Sequence, residues 1–404
     1  MTDSAFALMP YPAVDVPHAS SGPLAGLTFV AKDLFDVAGY PTGGGNPHVL
    51  AMSGIKTATA PTIQRLLDAG AEMIGKAHTN EMAFSMSGKN AHYGTPRNGA
   101  AHDRIPGGSS SGSASAVSNG LCDFAMGSDT GGSVRTPASY CGLFGLRPSH
   151  GRVSLEKTQA LCESMDTAGY FTRDAKVFGL VGECLLGEDS APLPEQPQLV
   201  ISDALFAMLP GSSLAALAPA LAQIEAACGP LQQLQGELPS LTDAYWAFRY
   251  IQGREAWLAQ GDFIEQNGLC LGPDVAARFA WSKAVTDAQY NDACALRERF
   301  AASWKTLLGD RVLVLPTVPD IAPLLSAKDE EIEQTRQISH HLLAISVLCR
   351  TPQLSMPLVD KDGVPLGISL MGPRGSDLSL VKLAVRIAGK KIPEAHVASN
   401  GEQP

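Results

Sequence analysis

One stretch constrains the fold more than any other. Between Pro106 and Arg147 the chain reads PGGSSSGSASAVSNGLCDFAMGSDTGGSVRTPASYCGLFGLR, with two Gly/Ser clusters whose serines Ser109 and Ser133 stand 24 positions apart. Glycine lets backbone approach a ligand closely and serine supplies hydroxyls. The run between the clusters is rich in Ala and Val, and both flanks are apolar, so a flexible linker does not fit. The pattern describes two loops brought together by the structured element between them.

The segments around this stretch alternate. Leu24–Ala31 is a short apolar run ended by Lys32 and Asp33, which reads as a buried strand delivering a charged pair at its end. PTGGGNP (41–47) is a loop. A helix is expected from about Thr59, with Pro61 near its first position and Gly70 as its stop, followed by a strand over Ala71–Gly75. Strand, helix, strand at this spacing is the signature of a parallel sheet. Residues 78–98 lack periodicity, and long irregular segments in compact domains are often functional. A helix is expected over about Asp174–Leu186.

An acidic, proline-rich break at 187–198 opens an inserted region. Its span, about 187–308, is mainly helical from Ser212 and holds all four tryptophans (Trp246, Trp257, Trp281, Trp304), which are expected in the core. Strands are then expected at Arg311–Thr317, Gln353–Leu358 and Gly367–Met371, with a closing helix at Leu378–Ala388. The order predicts a single α/β domain over 1–404. Its signature region is 24–174, and 309–395 rejoins the core.

Composition narrows the function classes. The formal net charge of −10 disfavours nucleic acid or an anionic membrane surface as partner. No apolar run reaches membrane-spanning length, and the first residues lack the pattern of a signal peptide. Eight cysteines without CxxC spacing read as buried thiols of a reducing compartment, so a cytoplasmic protein is expected. The nine histidines show no metal-ligand spacing.

Several chemistries compete for the Gly/Ser clusters. A phosphate cradle lacks both GxxxxGK[ST] and GxGxxG. Gly108–Gly112 matches GxSxG, which would make Ser110 a nucleophile, but no buried strand precedes it and His340, His341 and His396 sit in no recognisable context. A third reading joins Lys32 to Ser109 and Ser133. Burial disfavours the ammonium, so a lysine at the end of an apolar strand can serve as base to a serine. The amides of GSDTGGS before Ser133 could then donate to an oxyanion.

LTFVAKDLFDVAG (27–39), PGGSSSGSASAV (106–117), GSDTGGSVRTPASYCGLFGLRPSHGRVS (127–154) and SMDTAGYFTRD (164–174) together resemble the amidase signature family, in its order and spacing. Residues 24–174 carry the likeness densely and the VLVLPTVP and QLSMPL segments more loosely. The resemblance implies an α/β amidase-signature fold: a mixed central β-sheet sandwiched by helices, with a helical insertion. It implies a Ser–cis-Ser–Lys triad of Lys32 as base, Ser109 as bridge and Ser133 as nucleophile. The oxyanion amides fall on Thr130, Gly131, Gly132 and Ser133, with Ser110, Asp129 and Arg135 in support. Asp129 and Arg135 are expected to pair.

No metal or organic cofactor is implied, and the partner is a small-molecule amide. A homodimer is the default expectation. FDVAGYPTGGGNP and HYGTPRN further resemble plant-type indole-3-acetamide amidases, which implies a small, aromatic primary amide. The alternatives are a glutamine-hydrolysing A subunit of an aminoacyl-tRNA amidotransferase and a scaffold that binds without turnover. The pocket is expected to be lined by residues 82–86 and by the insertion.

Overall fold

The computed structural model describes residues 3–390, so the last five positions of the segment expected to end at 395 lie outside the described residues. Ten strands form one sheet: β1 Thr28–Lys32, β2 Glu72–Ala77, β3 Phe124–Ser128, β4 Phe144–Arg147, β5 Ala168–Thr172, β6 Leu199–Ile201, β7 Gln232–Gln233, β8 Val312–Pro316, β9 Gln353–Lys361 and β10 Val364–Met371. Their order across the sheet is β2-β1-β3-β5-β4-β9-β10-β8-β6-β7. β1 runs parallel to both β2 and β3, the middle of the sheet is antiparallel, and β8, β6 and β7 are parallel again. The fold is the mixed α/β sheet that the sequence implies.

The first half follows its local signals closely. Pro61 opens the crossover helix Pro61–Asp68 at N1, where its missing N–H costs nothing, and Ile63, Leu66 and Leu67 are buried. Thr59 does not cap this helix. Its hydroxyl accepts from Ala38 N at 3.1 Å instead, and Ala60 holds the cap position. β2 runs to Ala77 rather than stopping at Gly75, because Lys32 pairs in register with Ala77. Phe29 and Phe124 stack across β1 and β3 with centroids 5.1 Å apart, which locks the two strands that end at the site.

The inserted region is mainly helical from residue 211, with long helices Leu241–Asn267, Pro273–Lys283 and Asp287–Leu308. It is also stitched into the sheet, since β6 pairs with β8 and β7 with β6. Those strands are three and two residues long, below what hydrophobic alternation can reveal. The tryptophans divide: Trp304 is 2% exposed, whereas Trp246 is 45% exposed. Aromatic residues at helical spacing in Leu241–Asn267 therefore do not all face the core.

The hairpin β9–β10 is longer than the sequence pattern marks, because Asp362 and Gly363 both adopt positive φ (57° and 76°). Such Asp-Gly turns match the twist of paired strands and let them run to the tip. All eight cysteines are free, but only Cys122, Cys141 and Cys162 are buried and Cys270 is exposed.

Candidate active site

Lys32 is the last residue of β1 and is completely buried. Its Nζ lies 2.7 Å from Ser109 Oγ and 2.8 Å from Ser128 Oγ. Burial pushes its ammonium down to about 7, while the more distant carboxylates of Asp166 and Asp129 pull it back up. The amine is therefore a competent proton acceptor near neutral pH. Ser128 ends β3, which lies parallel to β1, so the sheet itself delivers this hydroxyl. Sequence reasoning passed over Ser128, although it is the first serine of GSDTGGS.

Lys76 and Asp33 do not share this site. They form a buried pair at 3.1 Å, and Asp33 also accepts from the Tyr11 hydroxyl at 2.6 Å. Alternation along β1 and β2 sends these charges elsewhere, so of the charged pair ending β1 only Lys32 reaches the serines.

Ser109 follows a cis Gly108–Ser109 peptide bond, immediately before the helix Ser111–Ser118. Gly108 sits where a Cβ would fall 1.8 Å from Asn80 Oδ1, so no other residue fits without displacing that side chain. Ser109's carbonyl accepts from Asn80 N and from Thr79 Oγ1, both at 3.0 Å. Ser110 N donates to the Ser133 carbonyl at 3.3 Å, which sets the two Gly/Ser clusters side by side. The Ser110 hydroxyl bonds the backbone of Ser128, as donor to its carbonyl at 3.1 Å and acceptor from its N–H at 3.2 Å. It holds the loop and is not presented for attack.

Ser133 lies just before the helix Arg135–Cys141 and is 4% exposed. Its loop is wound around Asp129. That carboxylate accepts from Gly132 N at 2.9 Å and Val134 N at 3.0 Å, and Arg135 grips it through Nε at 3.0 Å and Nη2 at 2.8 Å. Arg147 adds a third guanidinium contact at 3.1 Å. Burial would raise this carboxyl, but Arg135 and then Arg147 outweigh it and hold it far below the usual range. Gly132's N–H is thus committed to Asp129. Among the described residues, the amides of Thr130, Gly131 and Ser133 make no hydrogen bond.

A small cavity of about 20 Å³ sits at Ser133, walled by Phe84–Met86, Gly131, Gln252, Arg278, Arg336 and His340. It shares Ser85, Met86, Arg278 and Arg336 with a larger outer cavity of about 390 Å³. Met82 and Ala83, which lead into this wall, both hold left-handed backbone (φ 49° and 59°). Such conformations cost ordinary residues about 1–3 kcal/mol and collect at functional sites. Of the expected lining, Ala83–Met86 and the insertion residues Gln252 and Arg278 line the cavity, whereas Met82 does not. Arg336 and His340, from the later helix Asp329–Cys349, are additions that no local motif announced.

Comparison with known proteins shows the family of the chain. The Amidase family model matches residues 7–206. "Amidase 1" of Arabidopsis thaliana is 37% identical over 92% of this chain and 94% of its own length. "Outer envelope protein 64, chloroplastic" of the same plant is 31% identical over 93% of this chain and 68% of its own length. A solved structure described as "Crystal structure of amidase" superposes with a TM-score of 0.81 at 31% identity, covering 91% of this chain and 85% of the other. No described helix is long and apolar enough to cross a membrane. Fold and relatives converge, and the chain belongs to the amidase family of amide-hydrolysing enzymes.

Proposed function

We propose that the chain hydrolyses the C–N bond of a small carboxamide through an acyl-enzyme on Ser133. The observation that carries this reading is the buried amine of Lys32 between the hydroxyls of Ser109 and Ser128. A neutral amine donates to Ser128 and accepts the Ser109 proton as Ser109 takes the proton of Ser133. Ser133 Oγ then bonds to the amide carbonyl carbon. Thr130, Gly131 and Ser133 amides supply the oxyanion donors, and removal of such a donor typically costs about 10²–10³-fold in kcat. The proton returns through Ser109 to the nitrogen, the C–N bond breaks and ammonia leaves. Water adds to the ester, its proton passes into the same relay, and the carboxylate is released.

Asp129, Arg135 and Ser110 act by holding the loop in this arrangement. Arylacetamides such as indole-3-acetamide are the first acyl groups to try, on the strength of the plant-type motif run. Free cysteines suit a reducing compartment such as the cytoplasm. The test is ammonia release across a panel of small amides, together with labelling by a neutral fluorophosphonate. Turnover of some panel member and labelling that maps to Ser133 are expected. A folded sample that neither labels nor turns over any amide would instead be a binding scaffold.

A further inference from the structure

One buried carboxylate beside the site has no task in the relay. Asp166 stands just before β5 and is 6% exposed. Its Oδ1 accepts from Thr130 Oγ1 at 2.5 Å, and its Oδ2 from the amides of Leu161 and Cys162 at 2.8 and 2.9 Å. Two N–H groups at one oxygen and a hydroxyl at the other favour the anion. Burial raises this carboxyl above its ordinary value, against the pull of those three donors and of Arg147. The next residue, Thr167, exchanges backbone hydrogen bonds with Asp129 at 2.9 and 3.2 Å, so the start of β5 and the nucleophile loop run side by side.

The turn that presents the two amides is clamped by the insertion. Glu255, from Leu241–Asn267, accepts from Ser164 N at 2.9 Å, Ser164 Oγ at 2.6 Å and Cys162 Sγ at 3.1 Å. Arg297, from Asp287–Leu308, donates to Ser164 Oγ at 2.8 Å. Asp166 is thus held from outside the loop that it holds.

Position decides what its charge can act on. Asp166, Thr130 and Ser128 line one cavity of about 330 Å³, and Ser133 is not among its walls. Ser128 in turn accepts from Lys32 Nζ at 2.8 Å. Burial lowers the Lys32 amine, and two carboxylates oppose it through space, Asp166 ahead of Asp129. Asp129 is bonded by Arg135 and Arg147, which offset its charge. Among the described residues, Asp166 is bonded by neutral donors alone, and Arg147 reaches it through space. Lys76 and Asp33, near the ends of β2 and β1, pair with each other.

We propose that Asp166 is a positioning residue for the reaction: its carboxylate seats Thr130, whose amide is one of the oxyanion donors, and supplies an unmatched negative charge near Lys32. This rests on the relay through Lys32, Ser109 and Ser133. Thr130 opens the run of oxyanion amides, so tying its hydroxyl to Asp166 fixes the peptide planes that follow. The charge works against the effect of burial, so the amine keeps the basicity needed to take the Ser109 proton.

Asp166→Asn tests both roles, because it removes the charge and keeps the bonding: Oδ1 can accept from both amides while Nδ2 donates to Thr130 Oγ1. Fluorophosphonate labelling of Ser133 against pH reads the variant without a known substrate. The acid-side midpoint should fall by about half a pH unit or more, since the lost anion favoured the ammonium, and the plateau rate by about 10-fold or more. With a panel amide the loss should lie in kcat, with KM within about threefold of wild type. An unmoved midpoint in a folded variant overturns the proposal, because a purely structural defect lowers the rate without shifting it. Thr130→Val keeps every charge and removes the hydroxyl, so its plateau should fall about 10-fold with the midpoint in place. A plateau within about twofold of wild type overturns the seating of Thr130, and this variant decides if Asp166→Asn fails to fold. If the wild type neither labels nor turns over any amide, the relay is what has failed. NMR titration of the Lys32 Cε resonance, assigned with Lys32→Arg, then reads the contact by itself. A midpoint lower by about half a pH unit in Asp166→Asn upholds it, and equal midpoints remove it.

Discussion

On the side of Ser133 built from β1, β3 and the loops after them, the buried charges are matched. Asp129 holds Arg135 and Arg147, Asp33 holds Lys76, and Lys32 rests between two hydroxyls. On the side built from the helices Leu241–Asn267, Pro273–Lys283 and Asp329–Cys349, Arg278 and Arg336 share Glu333 much as Arg135 and Arg147 share Asp129, but among the described residues Arg249 bonds no carboxylate and neither the Gln252 amide nor His340 Nε2 has a partner in the protein. A matched wall fixes geometry, since each group removed leaves another stranded. A wall with unpartnered groups stays free to meet a ligand. On the proposed reading, the first wall performs the reaction and the second faces the acyl group.

Substitutions in the matched wall should act on turnover first. Ser133→Ala should cost at least about 10³-fold in kcat and abolish fluorophosphonate labelling; retained labelling would place the nucleophile elsewhere. Lys32→Ala should cost about 10²–10⁴-fold. In the wild type, the lowered amine value makes the base form dominant above about pH 7. The kcat/KM profile should therefore fall tenfold per pH unit on the acid side of that midpoint. A profile flat from pH 5 to 8 would break the assignment of Lys32 as base.

Asp129→Asn should act chiefly on stability. It leaves two buried guanidinium groups short of their anion, a loss of about 3–5 kcal/mol that a thermal melt would read as a large drop in Tm. In the wild type this carboxyl lies below its unfolded value. Its contribution is thus complete above about pH 4 and lost only as pH falls through the lower folded value.

Gly131→Ala tests the contact between the two walls. The added methyl would fall 2.4 Å from Phe248 Cζ, in a ring that is fully buried, and 3.4 Å from His340 Nε2. Overpacking of this kind costs about 1–3 kcal/mol, and a 1 Å misplacement of the loop about 10²-fold in kcat/KM. Trp246→Ala should be the mildest change, within about 0.5 kcal/mol by melt, because the ring is largely exposed.

The two walls also differ in how far they can be read from sequence. Lys32, Ser109 and Ser133 sit in contiguous motifs whose glycines have backbone reasons to be there, as Gly108 against Asn80 and Gly131 against Phe248 show. β1 announces itself as a continuous buried apolar run, and its crossover helix by the helical spacing of buried Ile63, Leu66 and Leu67. Arg336 and His340 stand one turn apart on one helix and Arg278 on another, with no motif that joins the two. Only the packing of Leu241–Asn267 against Pro273–Lys283 and Asp329–Cys349 brings them together. Ser128 is the intermediate case, present in a quoted motif but given meaning only by the parallel pairing of β1 with β3. β6 and β7 were illegible because two or three residues carry no period.

Arg135 binds more than Asp129. Its Nη1 also donates to the Leu343 carbonyl, Ser346 Oγ and Gln353 Oε1, groups that follow it by 208, 211 and 218 positions. The ribosome therefore releases the nucleophile loop long before it supplies the acceptors that seat it. Throughout that interval a buried cation lacks half its coordination, so the emerging N-terminal half holds all three motif serines and lysine without the frame that aims them. The loop that carries Ser133 is thus tied to both halves of the sequence, and its full seating waits on the helix Asp329–Cys349 and β9.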